Sequence, residues 1–203
     1  MTDSVLVAAP ERLAQQIQFV LEIDQLKQVL RQTLLTDGSR RENSAEHSWH
    51  IALMAIALAE YAPPGTDLLR VVKLLLLHDL VEIDAGDTFC YDPQGNESKA
   101  EREIRAADRL FGLLPPDQAR ELRALWDEFE AQVTPAAKFA AALDRIQPIL
   151  HNQRTGGHTW QKHGVKRAQV MKRLAPVEQG APALWEFVQQ VVEDCIAAGI
   201  LQP

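Results

Sequence analysis

"KLLLLHDLVEIDAGD", residues 73–87, sets a run of leucines directly against one histidine and several carboxylates. The apolar run extends back to Asp67, and residues 67–84 are apolar on nearly every side, which predicts a helix buried on most of its faces. A carboxylate beside an apolar core costs on the order of several kcal/mol unless a positive group satisfies it. The stretch therefore predicts either a bound cation or an acidic helix end that reaches solvent.

The rest of the chain also follows the helical period of apolar residues. Pro10 and Ser44 suit helix starts, and no stretch shows a convincing strand alternation. No repeat or linker divides the sequence, so residues 1–203 are predicted to form a single all-α domain, a compact bundle of helices. The predicted helices cover 11–35, 44–62, 67–84, 96–114, 115–131, 134–153 and 177–200.

The net charge and the number of cysteines make several classes of protein unexpected. A formal net charge of -7 gives no general positive surface for a nucleic-acid backbone or an anionic membrane, so we expect neither partner. Cys90 and Cys195 are too few for a disulfide scaffold, and the longest apolar runs are shorter than a membrane span. We therefore expect free thiols in a cytoplasmic protein. Apolar helices beyond the needs of one core predict a homodimer.

Several polar residues occur where the helical pattern predicts buried positions. His47 shares a helix face with Ile51, His78 and Asp79 end the most apolar helix, and Asp144 lies in an alanine-rich helix. Each residue alone is typical of a core position whose hydrogen bonds are satisfied. Together they supply two imidazoles and two carboxylates from three buried helices, a set that suits a divalent transition metal with open positions for water and substrate.

The pattern H…HD…D, present in "SAEHS", "LLLLHDLVE" and "AAALDRIQP", resembles that of the HD-domain metal-dependent phosphohydrolases. The longer stretches "ENSAEHSWHIALMA" and "HDLVEIDAGD" are similar to the branch that contains 5′-deoxynucleotidases, and the resemblance runs from about residue 20 to residue 165. It implies that one divalent cation is bound and that two further acids are needed for turnover. The implied ligands are His47, His78, Asp79 and Asp144, and the implied catalytic acids are Glu82 and Asp87.

The spacing of histidines favours one metal ion over two. The sequence has no histidine between Asp79 and Asp144, the interval from which a second cation in an HD site usually takes additional ligands. A mixed set of imidazole and carboxylate ligands suits Mn²⁺, Fe²⁺, Co²⁺ or Ni²⁺ and suits Mg²⁺ less well. We therefore expect one divalent transition ion as the cofactor.

Two acids beyond the ligands have a possible role in catalysis. Glu82 follows His78 by four residues, so a continuing helix would place them on one face, where the Glu82 carboxylate could orient or deprotonate an attacking water. Gly86 permits a tight turn that brings Asp87 back as a second acid–base group or a contact to a sugar hydroxyl. The alternative for both is a solvated acidic helix end, which is the interpretation we give to Asp84.

A phosphate substrate also requires positive charge from the protein. Arg31, at the end of the first predicted helix, corresponds by resemblance to an arginine that contacts the substrate phosphate. The branch commonly places tryptophan after that arginine, but Gln32 stands here and the spacing to His47 is longer by one residue. Arg40 or Arg41 is therefore an alternative phosphate contact, and all three could be surface charges.

These observations favour a phosphohydrolase that acts on a small phosphomonoester, with a deoxynucleoside 5′-monophosphate as the first choice. A cyclic-nucleotide or nucleoside-polyphosphate hydrolase and a non-catalytic nucleotide-binding regulator are the alternatives. Residues 151–164 resemble either a loop that closes over a substrate or a plain surface connection, and His50 is interpreted as a packing or partly exposed residue.

Overall fold

The computed structural model describes residues 10–203, and these form a bundle of helices with one small β-hairpin, which confirms the all-α prediction. None of the helices in the described range is long and apolar enough to cross a membrane. The helices are α1 (Glu11–Glu22), α2 (Ser44–Ala57), α3 (Leu68–Leu77), α4 (Glu82–Ala85), α5 (Pro93–Glu97), α6 (Lys99–Phe111), α7 (Pro116–Ala131), α8 (Pro135–Arg154), α9 (His158–His163), α10 (Arg167–Gly180) and α11 (Pro182–Ala197). The strands are β1 (Leu30–Leu34) and β2 (Arg41–Asn43), and short 3₁₀ helices cover Ile23–Gln28 and Ala59–Tyr61.

The hairpin corrects the prediction of one helix over residues 11–35. The first α-helix ends at Glu22, and Leu30 and Leu34 pair antiparallel with Asn43 and Arg41 across an irregular register. The Arg41 guanidinium donates to the backbone carbonyls of Leu30 and Arg31, so it also ties the two strands together. The spacing of Leu30 and Leu34 fits a helix as well as a strand. Cross-strand hydrogen bonds, which no local pattern encodes, decide in favour of the strand.

The leucine-rich helix is shorter than predicted, because α3 ends at Leu77 rather than continuing to residue 84. The backbone N–H of His78 still bonds to Leu74, after which tight turns lead to the short helix α4. The break places His78 and Asp79 in the turn between the two helices.

The last predicted helix, over residues 177–200, divides at Ala181. Pro182 opens α11, and its ring disfavours a helical conformation at the residue before it. Gly180 ends α10 in close contact with α8, where a Cβ atom would lie 2.1 Å from the carbonyl oxygen of Lys138. The predicted helix over 96–114 likewise begins as two pieces, α5 and α6.

Helix α8 lies at the centre of the fold, with 14 of its 20 residues buried. It packs against α2, α3, α10 and α11 in a large apolar cluster, while a smaller cluster joins α6, α7 and the segment after α3. Leu74 and Leu75 belong to the large cluster, and Leu80 and Val81 belong to the small one. Each buried leucine contributes about 1.5–3 kcal/mol, so the turn at His78 and Asp79 is fixed from both sides.

Candidate metal centre and active site

Three segments bring the predicted ligands together. His47 comes from α2, whose start is fixed by a capping box between Asn43 and Glu46, while His78 follows α3 and Asp144 comes from α8. Possible ligand atoms of His47, His78 and Asp144 all lie within 4.8 Å of one another. All three residues are buried, so their spacing is set by helix packing.

The hydrogen bond of His78 to the backbone fixes which ring nitrogen faces this cluster. Nδ1 of His78 lies 2.8 Å from the carbonyl oxygen of Leu75 and donates to it, which leaves Nε2 pointing at the acids. Nε2 lies 3.0 Å from Oδ1 of Asp79 and 3.7 Å from Oδ1 of Asp144, yet it has no aligned hydrogen-bond partner within residues 10–203. This position suits either a proton or a cation: burial lowers the pKa of His78, but Asp79 and Asp144 outweigh burial and raise that pKa well above its usual value.

The charges around the cluster keep the two aspartates ionised. Burial raises the pKa of Asp144, but its contacts with His47 and His78 outweigh burial and hold that pKa well below its usual value. Burial also raises the pKa of Asp79, and the charges of His78 and Arg31 more than offset the effect. Ionised carboxylates beside imidazole nitrogens are a ligand set that fits a divalent transition metal.

Asp79 is the one predicted ligand that lies outside the tight group of three. Its Oδ1 faces Nε2 of His78, and its Oδ2 accepts a hydrogen bond of 2.8 Å from Nη1 of Arg31. The residues present fit a metal ion. His47, His78 and Asp144 are in place to hold it, and Asp79 lies next to them in contact with His78.

Glu82 lies beside this centre although the helix does not continue as expected. Its Oε2 accepts a 2.6 Å hydrogen bond from the Ser44 hydroxyl at the start of α2, and the side chain is buried. Burial and the charge of Asp79 raise the pKa of Glu82 well above its usual value. A buried carboxylate next to the ligands, with a raised pKa, is suited to exchange a proton with water.

Asp87 also returns to the site, because Gly86 adopts a φ of 74° that favours glycine and turns the chain after α4. Its Oδ1 lies 3.9 Å from Nη1 of Arg31, and burial raises the pKa of Asp87. Asp84 instead pairs with Arg109 at the surface, in agreement with its interpretation as a solvent-facing acid.

The three candidate arginines occupy different environments. Arg31 is buried in β1 against Asp79, whereas Arg40 forms an exposed ion pair with Glu46. Arg41 is engaged with the carbonyl groups of β1 and does not line the cleft in front of the metal centre. Arg31 is therefore the candidate arginine that lies within reach of a ligand in the cleft.

A cavity of about 250 Å³ opens in front of the centre, near the lower end of the size range of small-molecule sites. Residues 151–164, predicted as a loop, instead form the end of α8, a turn and α9, and Trp160 is only 2 % exposed. At Gly157 a Cβ atom would lie 2.3 Å from the carbonyl oxygen of Ile200, so this turn packs closely against the C-terminal segment. The cleft is lined by His78, Asp79, Glu82, Asp87, Arg31, Thr33, Phe89, Tyr91, Lys99, Asp144, Arg145, Trp160 and Arg173, among others.

A second cluster of possible ligands lies behind the first, and its members were not identified as a site from the sequence. Glu42, His50 and His151 offer atoms within 4.8 Å of one another, but the amide nitrogen of Gln147 stands among them. That nitrogen lies 2.7 Å from Oε1 of Glu42, 3.0 Å from Nε2 of His151 and 3.3 Å from Nδ1 of His50. The two N–H groups of the amide serve the two shorter contacts, to Glu42 and His151, so the second cluster is a hydrogen-bonded network.

Glu42 connects the two clusters, and sequence reasoning missed it. Its Oε2 lies 3.6 Å from Nδ1 of His47, and neither atom has a hydrogen-bond partner in the described part of the chain. A carboxylate behind a metal-binding histidine orients the ring and keeps the proton on the outer nitrogen. The signal available in the sequence was its position in "RRENSAEHS", five residues before His47.

Comparison with known proteins identifies the family of the chain. The profile of the HD domain family matches residues 23–185. The chain belongs to the HD domain family. Human 5′-deoxynucleotidase HDDC2 is 35% identical over 135 residues, which cover 66% of this chain and 65% of the human protein. The match thus spans about two thirds of the length of the curated human and bovine relatives.

Two further proteins extend the comparison. 5′-deoxynucleotidase hdd1 of Schizosaccharomyces pombe is 25% identical over 183 residues and aligns with 83% of this chain and 91% of its own length. The crystal structure of a predicted metal-dependent phosphohydrolase from Magnetospirillum magnetotacticum superposes with a TM-score of 0.91 at 58% identity. That similarity covers 95% of this chain and 96% of the bacterial protein.

Proposed function

We propose that this HD domain is a metal-dependent phosphohydrolase that releases phosphate from a deoxynucleoside 5′-monophosphate. The observation that carries the proposal is the position of His78 Nε2, which faces Asp79 and Asp144 in a buried cleft next to Glu82 and has no aligned hydrogen-bond partner among residues 10–203. The names of the human and fission-yeast relatives support the choice of substrate.

In the proposed mechanism, His47, His78, Asp79 and Asp144 hold one cation, which when bound lowers the pKa of a water and offsets phosphoryl charge. Glu82, held by the Ser44 hydroxyl, orients that water and accepts its proton. Asp87 gives a proton to the leaving sugar oxygen or contacts a sugar hydroxyl. Arg31 donates to the phosphate oxygens from β1.

For the metal we propose Mn²⁺, Fe²⁺, Co²⁺ or Ni²⁺ in preference to Mg²⁺, because two imidazoles belong to the ligand set. The expectations of a cytoplasmic protein without a nucleic-acid partner stay predictions. The expected homodimer is supported by apolar side chains that are exposed on α1 and α2. These are Leu13, Ile17, Val20, Leu21, Trp49, Leu53 and Ile56. Light scattering on the purified protein measures the mass, and a monomeric mass would contradict the dimer.

A panel of nucleoside mono-, di-, tri- and cyclic phosphates, assayed with Mn²⁺ and with Co²⁺, tests the proposed reaction. Release of inorganic phosphate should be fastest from deoxynucleoside 5′-monophosphates. Faster turnover of cyclic nucleotides or polyphosphates would replace the proposed substrate class. Nucleotide binding without release of phosphate under any of these conditions would favour a regulator.

Substitution of the two hairpin arginines tests the phosphate contact. Arg31→Ala should lower kcat/KM about 30-fold, or about 2 kcal/mol, because a charge-assisted hydrogen bond in a buried site is lost. Arg31→Lys should recover only part of the rate, since lysine keeps the charge without the forked donors. Arg41→Ala should lower the free energy of unfolding and change kcat/KM less than Arg31→Ala does. A larger loss of kcat/KM in Arg41→Ala than in Arg31→Ala would assign the phosphate contact to Arg41.

A further inference from the structure

Each aspartate at the metal centre contacts a histidine with one oxygen and an arginine with the other. Oδ2 of Asp79 accepts from Arg31 on β1, and Oδ2 of Asp144 accepts a 3.3 Å hydrogen bond from Nη2 of Arg173 on α10. Arg173 lies beyond Asp144, the last residue of the H…HD…D pattern, and the helix around it was predicted only from residue 177 onward. The centre therefore has a second arginine that the sequence gave no reason to expect.

The two arginines differ in how fully their donors are used. The Arg31 side chain is 13% exposed and lies near Glu42 and Asp87 as well as Asp79. The Arg173 side chain is 39% exposed, and its bond to Asp144 is its one hydrogen bond among residues 10–203. Arg173 thus keeps most of its forked donors available to a molecule in the cleft.

Arg173 shares one wall of the cleft with a second arginine. Arg173 and Arg145 both line the cavity in front of the centre and a more open depression of about 390 Å³ next to it. Arg145 is 8% exposed, and its Nε has no hydrogen-bond partner in the range that the structure describes. Among residues 10–203, the carboxylate in contact with the Arg173 side chain is that of Asp144, whose charge a bound cation would also use. Two guanidinium groups at one wall of a cleft create a site for a phosphoryl anion.

We propose that Arg173 is a second phosphate-binding residue, which contacts the phosphoryl group of the substrate from the Asp144 side while Arg31 contacts it from the Asp79 side. Arg145 adds positive charge behind it. This inference rests on the proposed phosphohydrolase function and extends it by a residue outside the HD motif. The planar fork of the guanidinium fits two phosphate oxygens, which a lysine at the same position does not.

The test compares Arg173→Ala and Arg173→Lys with Arg167→Ala in the metal-loaded full chain. Arg167 is the matched control, because it lies on the same helix and pairs with Glu193 away from the cleft. In Arg173→Ala, the inhibition constant of inorganic phosphate and the KM of a deoxynucleoside 5′-monophosphate should both rise about tenfold or more. Inhibition by the uncharged deoxynucleoside should not change, and Arg173→Lys should lie between Arg173→Ala and the wild type.

Two results would overturn the role of Arg173. One is an unchanged inhibition constant for phosphate in Arg173→Ala when the wild type is active. The other is an altered metal content with unchanged phosphate inhibition, which would mean that Arg173 only balances the charge of Asp144. An inactive wild type would contradict the proposed function instead, and calorimetric binding of inorganic phosphate to the metal-loaded variants would then decide the inference about Arg173.

Discussion

Two buried clusters of histidine and carboxylate lie next to each other in this fold, and Glu42 connects them. The first consists of His47, His78 and Asp144, and the second of Glu42, His50 and His151. Both bring possible ligand atoms within 4.8 Å, so neither residue type nor spacing separates them. They differ in what stands between those atoms.

In the second cluster the amide of Gln147 donates to Oε1 of Glu42 and Nε2 of His151, so a protein donor already stands among the possible ligand atoms. In the first, the backbone bond of His78 turns Nε2 toward two aspartates, and Nε2 has no aligned partner within residues 10–203. The comparison teaches that a candidate metal site is identified by facing ligand atoms with no side-chain donor of another residue among them. A similar set of side chains around one amide is a structural network.

The largest effect should follow from removing a ligand of the first cluster. Asp144→Ala should lose the metal and nearly all phosphate release, because ligand binding and stability are linked at such a site. His151→Ala in the second cluster should lower the free energy of unfolding by about 1–3 kcal/mol, as buried partners lose hydrogen bonds, and should keep the metal. Elemental analysis measures the metal content, and denaturant unfolding measures the free energy of unfolding. Equal loss of metal in both variants would show that the first cluster is not the metal site in distinction from the second.

The next effect concerns an acid that lies beside the first cluster without belonging to it. Glu82→Gln should keep the metal and the fold but lower kcat about 100-fold or more, since the amide cannot accept the proton of water. Asp84→Asn is the control, because Asp84 pairs with Arg109 outside the cleft. Steady-state kinetics on protein of known metal content measures the change, and an unchanged kcat in Glu82→Gln would exclude Glu82 from the mechanism.

A smaller effect is expected where the two clusters meet. Glu42→Gln removes the charge behind Nδ1 of His47, and loss of such an outer carboxylate lowers metal affinity about tenfold to a hundredfold. Chelator competition measures the affinity. His151→Ala disturbs the same amide without contact to His47, so an equal loss of affinity there would show that Glu42 acts through the general packing of the region.

The smallest effect should come from His50, which is partly exposed and lies 3.3 Å from the Gln147 amide at the edge of the network. His50→Ala should change the free energy of unfolding by about 0.5 kcal/mol or less and leave the metal content unchanged. Thermal unfolding and elemental analysis check both. Loss of a full metal equivalent in this variant would show that the second cluster binds an ion.

The local sequence was sufficient for the helical class and for the inward direction of His47, His78 and Asp144. These conclusions follow from periodicity along single helices, which is a property of short segments. The break after Leu77 and the hairpin at Leu30–Leu34 were not predictable in this way. Both depend on contacts between segments that are distant in the chain. The apolar spacing within each segment fits more than one conformation, so it does not predict either feature.

By itself, the sequence determined the fold class and the residues able to bind a metal, because helical spacing and chemical type are local properties. Only the tertiary structure decided that Gln147 donates to one histidine cluster while Nε2 of His78 in the other faces two acids. It also decided that Arg41 bonds to the hairpin backbone and that Arg173 reaches Asp144 across 29 residues of sequence. The physical reason is that hydrogen-bond satisfaction depends on the distances and angles that packing fixes, and these are not encoded in any single segment.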